Sequence, residues 1–390
     1  MKPLHTAWSR RVGLALLALF ALVSAPAPRP VGAQAPAAAG PSQGAPAAYR
    51  AAVAKAQAVA QQILGLGVPG LALAVAVDGK IVWSDGFGYA DLEERVPARA
   101  TTKFRIGSVS KPLTAAALMR LVEVGKLDLD APVQKYVPSF PDKGAKITAR
   151  MLAGHLAGIR HYNQADESRP ERHYDTVLDG LKIFQDDPLV VPPGTKFSYS
   201  SYGYNLLSAV IEAAAGESFL GYMQRVVFDP LGLRATVADE PSQIIDQRSR
   251  FYHVANGKPL QNAPFVDNSY KWAGGGFLST AQDLVRFGSS LLQPGFLKAE
   301  SLALLFTPQK TSSGQETTYG IGWDISRSKS GKRIYAHSGG SVGGTTWLIV
   351  YPDKRVVVAF VCNFDREGGG FVTREDIEKV GEAFERGAGG

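Results

Sequence analysis

Apolar residues recur with two different periods along the chain, and the change of period divides it. Ala48 to Leu64 spaces its apolar positions as a helix does, and "LALAVAVDGKIVWSDGFGYAD" follows as two strand-like runs flanking Asp78-Gly79. An Asp-Gly pair between such runs is a strong hairpin signal. From Ser108 to about Glu300 the pattern is mostly helical, with long loops; "TARMLAGHLAG", "YGYNLLSAVIEAAAG" and "TAQDLVRFGSSLL" carry helix-like spacing. Strand signals return in "YGIGWDI", "KRIYAHSG", "TTWLIVY" and "RVVVAFV", and "TREDIEKVGEAFERG" closes the chain as an amphipathic helix. Both ends share one signature, strands with a terminal helix. The simplest packing is an α/β (α+β) fold: an antiparallel sheet built from both ends, flanked by the terminal helices, with a mostly helical lobe inserted. Within a domain at 48–390, the sheet lobe is expected at about 48–107 and 315–390, and the helical lobe at about 108–314.

The N-terminal pattern is of another kind. Arg10 and Arg11 precede an apolar run, Val12 to Val23, and "VGA" ends a small-residue pattern at Ala33. The run falls short of the roughly 20 residues a spanning helix needs. Residues 1–33 are expected to be a signal peptide and 34–47, "QAPAAAGPSQGAPA", an Ala/Pro-rich linker. The expectation is export from a bacterial cell, to the periplasm or beyond it, ahead of retention by an uncleaved anchor.

Composition narrows the function classes. The 390 residues are 45% hydrophobic and 20% charged, with a formal charge of +7. Four of those seven charges, Lys2, Arg10, Arg11 and Arg29, lie in the leader, which holds no acid. The remaining chain is so nearly balanced that no nucleic-acid partner is expected. The single cysteine, Cys362, stands in the apolar run "VVVAFVCNF". It excludes an intrachain disulfide and a thiolate metal site, and reads as a buried small hydrophobe. The six histidines show no tight ligand spacing, so no metal and no cofactor is expected.

Three short motifs carry candidate chemistry. Ser108-Val109-Ser110-Lys111 is an S-x-x-K element. If Ser108 opens a helix, Lys111 lies one turn later on the same face and the two side chains can meet. A serine hydroxyl needs a base to become a nucleophile, and a lysine serves only if burial or a nearby cation lowers its pKa. An N-cap serine with a surface lysine gives the same pattern. Tyr199-Ser200-Ser201 resembles a Y-x-N element with serine in place of asparagine; Tyr199 reads equally as an aromatic packing residue. His337-Ser338-Gly339 is an H-x-G element at the end of a strand, and Gly340 offers an N–H beside that of Ser108 as an oxyanion donor. Two further matches are set aside. Gly339–Gly343 fits G-x-S-x-G but runs into a strand rather than a helix. Gly65–Gly70 fits G-x-G-x-x-G but follows a helix and leads into a strand, the reverse of the dinucleotide-binding order.

S-x-x-K, Y-x-x and H-x-G, in this order, resemble the class C β-lactamase and penicillin-binding-protein-like serine hydrolases, of β-lactamase/transpeptidase-like fold. "KLDLDAPVQKYVPSFP", "ITARMLAGHLAGIRHY", "FDPLGLRATV" and "FVDNSYKWAGGGFLST" extend the resemblance over nearly the whole chain from about Ala48. "HLAGIRHY" and "DNSYKWAGGGFLST" resemble the mitochondrial serine β-lactamase-like branch, which is similar to a peptidase and forms filaments in mitochondria. The resemblance implies that Ser108 is acylated, that Lys111 helps take its proton, and that Tyr199 shares base duty and passes the proton to the leaving group. It places His337 and Gly339 at the substrate wall and the Ser108 and Gly340 amides in an oxyanion hole.

Two departures qualify the substrate. Ser201 is shorter than the asparagine it replaces and has one donor, so a substrate contact is lost or bridged by water. His337 replaces a permanent cation, which weakens recognition of a β-lactam or D-alanine carboxylate. The expected function is an exported serine hydrolase forming an acyl-enzyme on Ser108 and cleaving a peptide, amide or ester. A β-lactamase or D-alanyl-D-alanine carboxypeptidase is the second reading, and a filament-forming structural protein of the same fold the third. The expected partners are a small-molecule or peptide substrate and further copies of the chain, as a homo-oligomer or filament. His161 to Pro188 is expected to border the cleft.

Overall fold

The two ends of the chain build the main sheet. In the computed structural model, which describes residues 46–163, 167 and 170–385, Gly70–Val77 (β1), Lys80–Asp91 (β2) and Val96–Pro97 (β3) come from the N-terminal side. Asp324–Arg327 (β4), Arg333–Ser341 (β5), Gly344–Tyr351 (β6) and Val356–Cys362 (β7) come from the C-terminal side. These strands form one antiparallel sheet in the order β3-β2-β1-β7-β6-β5-β4, so β1 and β7 join the two ends at its centre. Asp78 and Gly79 turn β1 into β2 with φ of 50° and 78°, the positive pair that the hairpin signal calls for. The expected signal peptide at 1–33 and most of the linker at 34–47 lie outside the described residues.

The longer helices are Arg50–Gly65 (α1), Ser110–Glu123 (α2), Ser201–Ala215 (α3), Ala281–Ser290 (α4) and Arg374–Glu385 (α5). Strands β1 and β7 are buried on both faces, which is why they read as near-continuous apolar runs. Period two still sorts their side chains. Leu71, Leu73, Val75 and Val77, with Val356, Val358, Phe360 and Cys362, share a core with α1 and α5. Ala72, Ala74, Ala76, Val357, Ala359 and Val361 join the core of the helical lobe. Alanine on the lobe side of β1 and glycine on the facing helix allow close approach: a Cβ on Gly288 of α4 would stand 2.7 Å from a Val357 methyl. On the other face, Phe384 of α5 stacks against Tyr49 and Trp83, at 5.6 and 6.2 Å between ring centroids.

Local structure departs from the sequence pattern in places that matter for the site. Ser108 does not open the α-helix; it sits on a 3₁₀ turn, Gly107–Val109, one step before α2. "TARMLAGHLAG" is helical only over Ala149–Ala153, because Gly154 ends the helix and His155 turns the chain with φ of 58°. In "YGIGWDI" the strand begins only at Asp324, after Gly322 has turned the backbone with φ of 80°. Two small sheets escape the pattern because their strands are two or three residues long. Phe104–Arg105, Phe277–Ser279 and Val237–Ala238 form one, and Phe364–Arg366, Tyr252–Val254 and Gln261–Asn262 the other. The first ties the segment before Ser108 to the segment after the Gly274–Gly276 run.

Candidate active site

Two glycines allow the Ser108 turn to lie directly on the end of β5. Gly107 has φ of 48°, and a Cβ there would come within 2.5 Å of the Gly340 carbonyl oxygen and 2.9 Å of its nitrogen. A Cβ on Gly339 would lie 2.0 Å from the Ile106 carbonyl oxygen and 3.2 Å from the Ser108 nitrogen. Backbone thus meets backbone, as only glycine permits, and the Gly340 amide is held beside the Ser108 turn. The same β5 end is open along one edge. Strand β4 pairs with it only through Arg333–Ala336, so beyond Ala336 no main-sheet strand covers that side.

Lys111, in the first turn of α2, is fully buried. Its Nζ lies 3.0 Å from Ser108 Oγ, 3.2 Å from Ser201 Oγ and 2.8 Å from the Gly274 carbonyl oxygen. Burial first, and then the nearby Lys271, hold its pKa well below the ordinary lysine value of 10.5. A neutral amine satisfies all three partners by donating to Gly274 and Ser201 and accepting the Ser108 proton.

Tyr199 and Ser201 reach this amine because both stand at the entrance of α3. Ser200 caps that helix: its Oγ accepts from the Gly203 N–H at 2.9 Å and donates to the Arg160 carbonyl at 2.7 Å. Lys111 Nζ sits 4.9 Å from the centre of the Tyr199 ring. Burial raises the Tyr199 pKa above its ordinary value, opposed by a hydrogen bond with Ser108. Two histidines accept the amide protons at the helix entrance. The Ser200 N–H donates to His155 Nδ1 at 3.2 Å, and the Ser201 N–H to His161 Nδ1 at 3.1 Å. Each ring therefore keeps its proton on Nε2. Burial and the neighbouring Lys111 hold both in the neutral form, His161 at about 4. The His155 ring also packs on Tyr199, 4.2 Å between centroids.

His337 is neutral as well. Its Nδ1 donates to the Ser338 carbonyl at 2.6 Å, and its Nε2 accepts from the Tyr319 hydroxyl at 2.7 Å. Burial, with Lys111 nearby, brings its pKa down to about 3. Both ring nitrogens are committed within the protein, so no charge and no spare N–H is presented to a ligand.

Around Ser108 and Tyr199 the cleft has two arms, of about 670 and 530 Å³. Ser108, Tyr199, Ser338, Gly340 and Trp347 border both. One arm continues along His161, Tyr162, Ser201, Lys271 and Gly339. The other continues along Phe197, Thr318, Tyr319 and His337. The structure therefore brings Ser108, Lys111, Tyr199, Ser201, His337, Gly339 and Gly340 into one site, and His161 and Tyr162 carry the 161–188 segment to its wall. Sequence reasoning passed over His155, Tyr319 and Lys271, and took His161 only as one end of that segment. The histidines follow no period. Lys271 left one signal, a lone charge in the otherwise uncharged "NSYKWAGGGFLST". His173, Glu240 and Asp267 place potential metal-ligand atoms within 4.8 Å of one another, but none lines either arm, and His173 Nδ1 is already bonded to Asp267 at 2.9 Å.

The family model described as Beta-lactamase matches residues 50–381. The chain is 36% identical to the human mitochondrial serine beta-lactamase-like protein LACTB, over 78% of this chain and 75% of that one. Among solved structures it superposes on the octameric penicillin-binding protein homologue from Pyrococcus abyssi with a TM-score of 0.71 and 26% identity, covering 85% of this chain and 76% of that one. It superposes on the D-stereospecific amidohydrolase from a Streptomyces species with a TM-score of 0.72 and 25% identity, covering 84% and 98%. With a family model spanning the described domain and relatives of this kind, the chain belongs to the β-lactamase family and is a serine hydrolase.

Proposed function

We propose that the protein cleaves an amide, peptide or ester through an acyl-enzyme on Ser108. The observation that carries this reading is the buried Lys111 amine 3.0 Å from Ser108 Oγ. Neutral Lys111 takes the Ser108 proton as Oγ attacks the carbonyl carbon. The oxyanion that forms is held by the Ser108 and Gly340 N–H groups. The carbonyl then re-forms, the bond to the leaving group breaks, and the proton passes from Lys111 through the Tyr199 hydroxyl to that group. Water, deprotonated along the same path, attacks the ester and releases Ser108. The uncovered edge of β5 beyond Ala336 offers main-chain hydrogen bonds to an extended substrate. His161 Nε2–H supplies a donor where Ser201 has replaced an amide.

The neutral, internally bonded His337 favours amides and esters over β-lactams, since its ring offers their carboxylate no charge and Arg374, which also lines this arm, is held by Glu378 at 3.0 Å. A chromogenic cephalosporin is therefore turned over more slowly than amide or ester substrates. Labelling by a serine-reactive fluorophosphonate is expected in the wild type and absent in Ser108→Ala; labelling that persists on another serine overturns the assignment. The octameric relative supports self-assembly, as a homo-oligomer or filament. The basic and apolar N-terminal pattern supports export, and among the described residues no helix is long and apolar enough to cross a membrane. Electron microscopy of the mature protein and N-terminal sequencing after cell fractionation test these two readings.

A further inference from the structure

Both backbone amides that flank Tyr199 donate to one residue. The Ser198 N–H donates to the His155 carbonyl at 2.8 Å, and the Ser200 N–H to His155 Nδ1 at 3.2 Å. Between these two bonds the imidazole lies against the Tyr199 ring, 4.2 Å between centroids. His155 thus holds the tyrosine at three points, with its carbonyl, a ring nitrogen and a ring face. It reaches all of them from a left-handed backbone, φ 58°, directly after Gly154 ends its helix.

Packing alone does not account for a histidine at this position. The residue is 1% exposed. Nδ1 accepts a proton from Ser200, so Nε2 carries the ring's own, and Nε2 has no hydrogen-bond partner among the described residues. Phe197, Tyr204 and Tyr319 enclose the imidazole, with ring centroids 5.7, 5.5 and 4.7 Å from its own. A phenylalanine would fill such an aromatic pocket without burying an unsatisfied N–H. It would not supply the acceptor that Ser200 uses. Nor does His155 meet the substrate, since it lines neither arm of the cleft.

Tyr199 needs support of this kind. Its one polar atom, the hydroxyl, bonds to Ser108 and is the atom the reaction uses. The place of the phenol must therefore be set through its backbone and the faces of its ring. His161 adds a second ring contact, at 86° and 5.6 Å between centroids. We infer that His155 is a positioning residue for Tyr199: it grips the backbone on both sides of the tyrosine and backs its ring, holding the hydroxyl where the proton passes from Lys111 to the leaving group. The inference rests on the proton route through Tyr199 proposed above and adds the residue that fixes its geometry.

The test compares two esters of one acyl group, 4-nitrophenyl butyrate and ethyl butyrate. 4-Nitrophenolate leaves without a proton, whereas ethoxide must receive one as the C–O bond breaks. The ratio of the two kcat/KM values, 4-nitrophenyl over ethyl, therefore reads proton delivery. Unfolded molecules hydrolyse neither ester, so a loss of folded protein cancels in the ratio. His155→Phe keeps a ring and loses the acceptor, and should raise the ratio at least about tenfold. His155→Asn tolerates the left-handed φ and keeps an acceptor without the ring; it should raise the ratio by less. Tyr199→Phe should raise it at least as far as His155→Phe, and the double variant no further than Tyr199→Phe alone. A ratio unmoved by both His155 variants, or raised again by His155→Phe in the Tyr199→Phe protein, overturns the positioning role and leaves the hydrolase reading standing. A ratio unmoved by Tyr199→Phe overturns the route through Tyr199 and the positioning with it. Turnover of both esters that survives in Ser108→Ala overturns the acyl-enzyme reading itself.

Discussion

At the scale of single residues, the site is organised by what burial does to cations. Lys111, Lys271, His155, His161 and His337 lie around one cleft, and each is held below its ordinary pKa. The histidines are neutral for a further reason: each accepts a proton at one nitrogen, which leaves no room for a second. Lys111 acts as a base only without its extra proton, so kcat/KM should rise with pH through its pKa. That limb should lie well below pH 10.5, and Lys271→Met, which removes one of the two lowering causes, should move it to higher pH. Lys111→Met should cost about 10²–10⁴-fold in kcat/KM. A pH–rate profile of the three proteins checks these expectations together; a limb unmoved by Lys271→Met contradicts the coupling.

At the scale of elements, the site depends on three junctions: the Ser108 turn against β5, the entrance of α3, and the Gly274 segment against α2. Gly107→Ala tests the first. An alanine would have to hold a left-handed φ and push aside Gly340, a strain of about 1–3 kcal/mol. Labelling of Ser108 should slow by more than the loss of stability explains, measured as labelling rate beside a melting curve. This scale also separates what the sequence made legible from what it did not. The hairpin at Asp78-Gly79 and the caps of α3 and α4 announce themselves through residues with strong local preferences. Ser108 and Lys111 are near neighbours in sequence, and the family resemblance added Tyr199 and His337. The pairing of Ser200 with His155, of Ser201 with His161 and of His337 with Tyr319 joins residues 18 to 45 positions apart through loops. Nothing periodic marks those loops. The 3₁₀ turn under Ser108 was missed because the tight contact with Gly340 sets it, not the propensity of the segment.

At the scale of the whole molecule, the sheet separates two cores, and Lys111 and Tyr204 beside the nucleophile are buried on the side of the helical lobe. The face under α1 and α5 holds Cys362 and Phe384, and neither lines the cleft. Burial pushes the Cys362 thiol up to about 12, so it should resist a thiol reagent at pH 8 in the intact protein. Phe384→Ala removes a fully buried ring stacked on Trp83 and should cost about 3–5 kcal/mol. Reaction of Cys362 should then speed up in proportion to the population of opened molecules, measured by thiol titration against denaturant. Rapid labelling in the wild type would contradict the two-core architecture. The general plan was legible because each end of the chain repeats strands and a helix. The strand order was not, since β1 and β7 meet across nearly 280 residues of intervening chain.

The central claim is that Ser108 is the acylated residue, and peptide mapping by mass spectrometry tests it most directly. Trypsin should release Ile106–Arg120 as one peptide, because Lys111 is followed by Pro112. After the intact protein is exposed to a mixture of esters, amides and β-lactams, that peptide should carry the mass of an acyl group. Fragmentation should place the mass on Ser108 rather than Ser110, whose hydroxyl is buried and unpartnered, and Ser108→Ala should lose it. Mass on Ser110, on Ser341 or on any serine of the Ser108→Ala protein would contradict the account.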